Sequence, residues 1–207
     1  LDSSGGLAAV AAKPYPGAWR DVQEEITNAI ATIGENMNVR RADVLAASPG
    51  VVSAYVHNAT GAGVGKIGVL VALKSSGKAD ALEAFGKQLA MHIAAANPRS
   101  VSPKDLDPAL VERERAILSE QAKDSGKAPD IIAKMVEGRL RKFYQDVVLL
   151  EQTFVIDGET RVAKAVEAAA KAAGAPIEVV GFRRFALGEG IEKPTEDFAA
   201  EVAKITG

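Results

Sequence analysis

Cysteine is absent from all 207 residues, so the chain can build no disulfide, thiolate nucleophile or thiolate-bound metal. Only two histidines occur, His57 and His92. A zinc site would have to draw on carboxylates, which argues against a structural zinc. Aromatic residues make up 5%, a poor supply for a surface that stacks nucleic-acid bases. Neither charge is in surplus: 25 Lys and Arg face 27 Asp and Glu, a net charge of -2, where a general nucleic-acid binder shows a basic excess. No apolar run approaches the roughly 20 residues that span a bilayer. The opening Leu1-Asp2-Ser3-Ser4-Gly5-Gly6 has neither an initiator Met nor a signal-peptide pattern. The expectation is a soluble, cytoplasmic protein whose N-terminus has been removed.

What is present is a globular composition. Hydrophobic residues reach 47%, enough for a real core in one or two domains. Val22, Ile26, Ile30 and Ile33 recur at helical spacing, and Gly34 follows where a left-handed cap needs a residue without Cβ. Met37 and Val39 then alternate with Asn36, Asn38 and Arg40, as in a half-buried strand. Val51 to Val56 predicts a second strand and Ile67 to Leu73 a central one. The glycine-rich residues 58–66 between them read as a hairpin loop. Leu82, Phe85, Leu89, Ile93 and Ala96 mark a helix face that Asn97-Pro98 ends.

Asp107-Pro108 is a helix start, an Asp cap followed by Pro at the first helical position. That helix runs to about residue 125. Pro129 opens a second one with a stripe of Ile132, Val136, Leu140, Phe143 and Val147. Two helices joined by a tight Ser-Gly turn read as an antiparallel hairpin. Phe154 to Ile156 predicts a strand, residues 160–173 a helix capped by Gly174, and residues 177–187 a long strand. Gly188-Glu189-Gly190 reads as a turn. A last helix, about residues 195–205, carries Phe198, Val202 and Ile205 on one side. Strands and helices around an inserted helical pair make an α+β fold. Its antiparallel sheet has flanking helices and an inserted antiparallel helical hairpin, a coiled coil.

No catalytic constellation emerges. Gly63-Val64-Gly65-Lys66-Ile67-Gly68 fits G-x-G-x-x-G literally but opens a strand, whereas dinucleotide binding needs it to open a helix. The same stretch fails the P-loop pattern at Thr60 and Ile67. Its GXXG piece lacks the two helices that an RNA-binding loop joins. His92 falls at the edge of its helix's apolar face with no Ser or Asp spaced for a triad. His57 sits at a strand end and reads as structural. Arg139, Arg141 and Lys142 read as a solvated face. Arg183 and Arg184 point to opposite faces of their strand.

Six islands in order resemble the bacterial elongation factor Ts family. They are Ile33-Gly34-Glu35-Asn36-Met37-Asn38-Val39-Arg40-Arg41, Ile67-Gly68-Val69-Leu70-Val71, Ala90-Met91-His92-Ile93-Ala94-Ala95, Lys134-Met135-Val136-Glu137-Gly138-Arg139, Gly188-Glu189-Gly190-Ile191-Glu192-Lys193 and Asp197-Phe198-Ala199-Ala200-Glu201-Val202. The longer hairpin at residues 58–66 resembles an alphaproteobacterial form.

The resemblance implies a guanine-nucleotide exchange factor that is not an enzyme and needs no cofactor. It implies elongation factor Tu as partner, both GDP-bound and nucleotide-free, with no direct contact to nucleic acid or membrane. It divides the chain into a connector and helix of the first core half (1–34), a C-terminal core subdomain (35–106 and 148–192), a helical-hairpin insertion linked to dimerisation in some members (107–147) and a C-terminal helix module (193–207). It implies partner contacts at Ile67, Gly68, Met91, His92 and Phe198. Replacing His92 by Ala is then expected to weaken partner binding with little loss of stability. The family's Thr-Asp-Phe-Val segment, which disturbs the partner's magnesium site, occurs nowhere in this chain. The expectation is a fragment with weakened exchange. The competing reading is a structural or dimerisation module working through the helical hairpin.

Overall fold

In the computed structural model, residues 6–123 and 126–191 are described. Among them are six α-helices and one three-stranded antiparallel sheet. The helices are α1 (Gly6–Ala11), α2 (Val22–Ile33), α3 (Ala79–Ala96), α4 (Pro108–Lys123), α5 (Pro129–Val147) and α6 (Val162–Ala173). The strands are β1 (Gly50–Gly61), β2 (Val64–Lys74) and β3 (Glu178–Ala186), with β2 in the middle. The mixed helix-and-sheet class is as expected. The last predicted helix, Phe198 included, lies outside the described residues.

Alternation along β2 decides the layers. Val69, Val71 and Leu73 share one face and are buried against Phe85, Leu89 and Ile93 of α3 and Val162 of α6. Burying each such aliphatic side chain contributes about 1.5–3 kcal/mol. Gly86 lets α3 approach the sheet closely, since a Cβ there would lie 2.1 Å from Ser53 Oγ. The opposite face of the sheet carries Gly68 and its register partner Phe185. The extended segment 35–49 crosses part of that face, where Asp43 pairs with Arg183.

Several helix ends follow their local chemistry. Asp21 and Glu24 form a reciprocal capping box on α2, which satisfies two amides that helix geometry orphans. Gly34 ends α2 at φ 81° and Gly174 ends α6 at φ 80°, both left-handed. The side chain of Asp107 accepts from the Ala109 amide at 2.9 Å at the start of α4. The α4–α5 pair has its own small core of Leu118, Ala122, Val136 and Leu140, separate from the sheet's core.

Three expectations are corrected. The hairpin between β1 and β2 is not a nine-residue loop: pairing continues through Ala59↔Gly65 to Gly61↔Val64. Only Ala62 and Gly63 turn the chain, Gly63 at φ 74°, so glycines read as loop are mostly strand. Phe154 to Ile156 is not a strand. One isolated bridge, Thr153↔Arg161, stands there, and Asp157 gathers the Glu159 and Thr160 amides into a side-chain-held turn.

The third correction is the run after Gly34. Residues 35–41 form no strand, because a strand needs a neighbouring edge for its amides and carbonyls. These residues pair with no strand among the described residues.

Candidate functional site

The run after Gly34 and the turn after β3 meet although about 150 positions separate them. The Arg40 guanidinium donates to the Glu189 carbonyl (3.0 Å) and the Gly190 carbonyl (3.2 Å). Arg41 pairs with the Glu189 carboxylate at 2.9 Å and lies over the Phe185 ring, 4.6 Å from its centroid. Arg184 reaches the same carboxylate at 3.6 Å. The Arg41 contact, with help from the Ala186 amide and Arg184, holds Glu189 below the usual carboxylate range. Asp43 is likewise lowered, first by Arg183 and then by the Val44 amide.

These contacts frame an open groove of about 790 Å³. Its walls include Met37, Val39 and Arg40 on one side and Gly68, Phe185 and Leu187 on the other. Apolar side chains stay uncovered here: Val39 is 47% exposed and Leu187 84%. Gly68 is exposed, and a Cβ at this position would meet nothing within 4 Å. No crowding inside the chain requires a glycine there, and a glycine weakens a strand. What it provides is a flat stretch of β2 that another surface can approach closely.

The candidates named from the sequence divide. Gly68 lines the groove. Ile67, its neighbour, is half-buried and packs toward the α3 side of the sheet. Met91 is 37% exposed on α3, and α3 covers the face opposite the groove. His92 is not at a helix edge: it is fully buried, packed on the Phe154 ring with centroids 5.6 Å apart. Its bonds are long-range rather than local, to Gln152 and to the Val155 amide. The little-stability-loss half of the His92 expectation therefore does not fit its placement. His57 lies inside β1, not at a strand end, with Nδ1 3.1 Å from the Tyr55 hydroxyl.

The sequence does not single out Phe185 or Leu187, and it places Arg40 and Glu189 in separate islands. The available signal was a charged pair after a helix cap and a Gly-Glu-Gly turn, but nothing in the order of residues says that the two touch. Gly63 to Gly68 runs into β2 and opens no helix, so its amides cannot converge on a phosphate as a dinucleotide site requires. Among the described residues no group of three or more His, Asp or Glu is placed to hold a metal ion, and no helix is long and apolar enough to cross a membrane.

Residues 3–189 match the family model described as "Elongation factor TS". The chain belongs to the elongation factor Ts family. Proteins named elongation factor Ts share 56% identity over 195 residues in Rhodospirillum centenum and 54% over 203 residues in Sinorhizobium medicae. The one from Rhodospirillum rubrum shares 56% over 204 residues. These matches cover 94%, 98% and 98% of this chain. The chain spans 64% to 66% of the length of those relatives. The relatives are mostly alphaproteobacterial, as the long hairpin suggested. The groove thus lies where three of the family-like islands, those of Gly34, Gly68 and Glu189, come together.

Proposed function

We propose that this chain binds elongation factor Tu and promotes release of its GDP, with the groove beside Gly68 as a contact surface. The observation that carries the reading is Gly68 itself: exposed, uncrowded and set between an arginine-bearing segment and an apolar strand end. Elongation factor Ts relatives over nearly the whole chain support the partner.

Exchange needs no chemistry from the factor. If the factor holds nucleotide-free elongation factor Tu more tightly than the GDP form, linkage requires that GDP be weakened by the same ratio. Differential contacts alone supply this coupling, so no acid, base or nucleophile is needed and the chain is not an enzyme in this reading. The setting is the cytoplasm, without direct nucleic-acid contact.

Within this reading, residues 35–106 and 148–192 act as the C-terminal half of the core, and 1–34 as a connector with a helix of the first half. Residues 107–147 act as a coiled-coil insertion. Its separate small core and its exposed Ile117 and Ile131 suit a projecting pair that joins a second copy. Residues 193–207 form the C-terminal module. Ile67, Gly68, Met91 and Phe198 are partner contacts, and His92 acts from the interior by holding the segment behind them.

The test is a pull-down with nucleotide-free elongation factor Tu, together with stopped-flow release of a fluorescent GDP analogue. Retention on the column and accelerated release support the proposal. A folded chain that neither binds nor accelerates release rules it out. A chain that only self-associates, losing that property when residues 107–144 are deleted, favours the dimerisation module instead.

A further inference from the structure

The α4–α5 pair has a small core of its own, and packing inside that core does not fix the angle at which the pair sits on the sheet. Two connections carry it: residues 97–107 lead out and residues 148–161 lead back. A pair carried on two independent loops would swing about them as a hinge. Here the two connections are bonded to each other. The Arg99 amide donates to the Val147 carbonyl at 2.7 Å, the Leu149 amide to the Ser100 carbonyl at 2.9 Å and the Leu150 amide to the Val101 carbonyl at 3.1 Å. Ser100 and Val148 form a parallel bridge, and both are buried. Leu149, next in the chain, belongs to the core beneath the sheet.

Gln152 closes this ladder from the inside and is 4% exposed. Its Nε2 donates to the Asp146 carbonyl at 2.8 Å and, more weakly, to the Ala96 carbonyl at 3.4 Å. Those carbonyls belong to the last turns of α5 and α3, which helix geometry leaves without an intrahelical donor. Gln152 Oε1 lies 2.9 Å from His92 Nε2. The main-chain carbonyl of Gln152 accepts from the amide of Val162, the first residue of α6, at 2.9 Å. One residue thus meets the ends of α3 and α5 and the start of α6. A buried polar network with every member satisfied rigidifies the elements it joins.

We propose that Gln152 is the pin of a fixed mount, which holds the α4–α5 pair at one angle to the sheet instead of on a free hinge. The exposed Ile117 and Ile131 of the pair then stand at a set distance from the groove beside Gly68. A partner that touches both surfaces loses no entropy in ordering the pair, because the chain is organised before it binds. That use in binding rests on the exchange reading above; the mount itself does not.

With no cysteine in the chain, two labels can be placed at will. Lys87→Cys on α3 and Lys134→Cys on α5, both exposed positions, carry nitroxides, and pulsed electron resonance reads the distribution of distances between them. The parent should give one narrow peak. Gln152→Met keeps the volume but removes both polar ends, and should widen the peak at least about twofold. Gln152→Asn, a methylene shorter, is measured beside it and should also widen the peak. Val71→Ala weakens the sheet's core, where Val71 is fully buried; it should lower the urea midpoint and leave the width unchanged. In the unlabelled parent, the Arg99, Leu149 and Leu150 amides should exchange as slowly as amides inside α3. A broad peak in the parent, or rapid exchange of those amides, overturns the proposal without any variant. A folded Gln152 variant as narrow as the parent overturns it too, as does a Val71→Ala peak as broad as that of Gln152→Met. None of these measurements involves elongation factor Tu, so failure here leaves the exchange reading standing.

Discussion

The imidazole of His92 and the carboxamide of Gln152 meet at 2.9 Å in the interior, 60 positions apart in the chain. The tautomer of the ring and the orientation of the amide follow from their other partners. The Val155 amide donates to His92 Nδ1 at 3.2 Å, so that nitrogen carries no proton. Nε2 then carries it and donates to Gln152 Oε1. Gln152 Nε2 in turn donates to the Asp146 carbonyl at 2.8 Å. A neutral ring thus ties α3 to the end of α5 and to the turn before α6, and leaves both ring nitrogens satisfied.

His92→Ala should therefore be a stability mutation before it is a binding one. It opens a cavity beside Phe154 and strands the Val155 amide and Gln152, a cost of roughly 2–4 kcal/mol. The urea midpoint should fall accordingly. A midpoint shift equivalent to less than about 0.5 kcal/mol, the size of an ordinary surface substitution, would contradict this account of the network.

The same ring predicts a pH dependence. Burial lowers the His92 pKa below the ordinary imidazole value of about 6.5, with the Gln152 bond opposing that shift. As pH falls, the unfolded chain takes the proton first. The stabilisation is complete above about 6.5 and is lost as pH drops from there toward the folded pKa. His92→Gln should remove this slope below about pH 6.5, measured as urea midpoint against pH. Glu189 and Asp43 have lowered pKa values, so their contribution is present above the ordinary carboxylate range and is lost only as pH falls below it.

Gly68→Val separates fold from function. The new side chain enters open space, and valine suits a strand better than glycine by up to about 1 kcal/mol. The melting temperature should hold or rise. Affinity for nucleotide-free elongation factor Tu should drop by about tenfold, some 1.4 kcal/mol. Undiminished affinity in the stable variant would remove Gly68 from the contact surface.

Arg40→Lys keeps the charge but loses the planar fork that reaches two carbonyls at once. Because the site is exposed, global stability should change by less than about 1 kcal/mol. Amide exchange at residues 189–191 should nevertheless accelerate, since the turn loses its clamp. Unchanged exchange there would show that the turn holds itself.

The helical pair offers two opposite shifts. Leu140, 1% exposed in the small core of α4 and α5, should cost about 2–5 kcal/mol of local stability when replaced by Ala. Gly138 sits in the middle of α5 with nothing within 4 Å of a new Cβ. Gly138→Ala should therefore stabilise that helix by about 0.5–1 kcal/mol. Exchange rates within α5 measure both.

Legibility from sequence followed how local each cause was. The Gly34 and Gly174 caps, the Asp107-Pro108 start and the Asn97-Pro98 stop depend on neighbours within one turn, and all were readable. The run at residues 35–41 alternates like a strand, yet it forms none, because pairing depends on an edge elsewhere in the fold. Phe154 was equally misleading: its apolar neighbours suggested a strand, while its ring is a core plug against Phe85 and His92. His92 looked marginal on a helical wheel because the residues that bury it, Phe154 and Gln152, arrive from beyond α5.

Composition and short-range pattern alone determined that this chain folds as mixed helix and sheet, and that no thiol chemistry is open to it. Together with the ordered islands, they also determined that it resembles elongation factor Ts. Hydrophobic periodicity and capping act over a few residues, so the order of the chain records them. Tertiary structure alone decided that Arg40 grips the Glu189 turn, that Gly68 faces an open groove and that His92 is sealed inside. Those outcomes depend on which distant segments the buried face of β2 draws together. Burial is non-directional and roughly proportional to area, so the spacing of a segment records which face is buried but not which distant segment covers it.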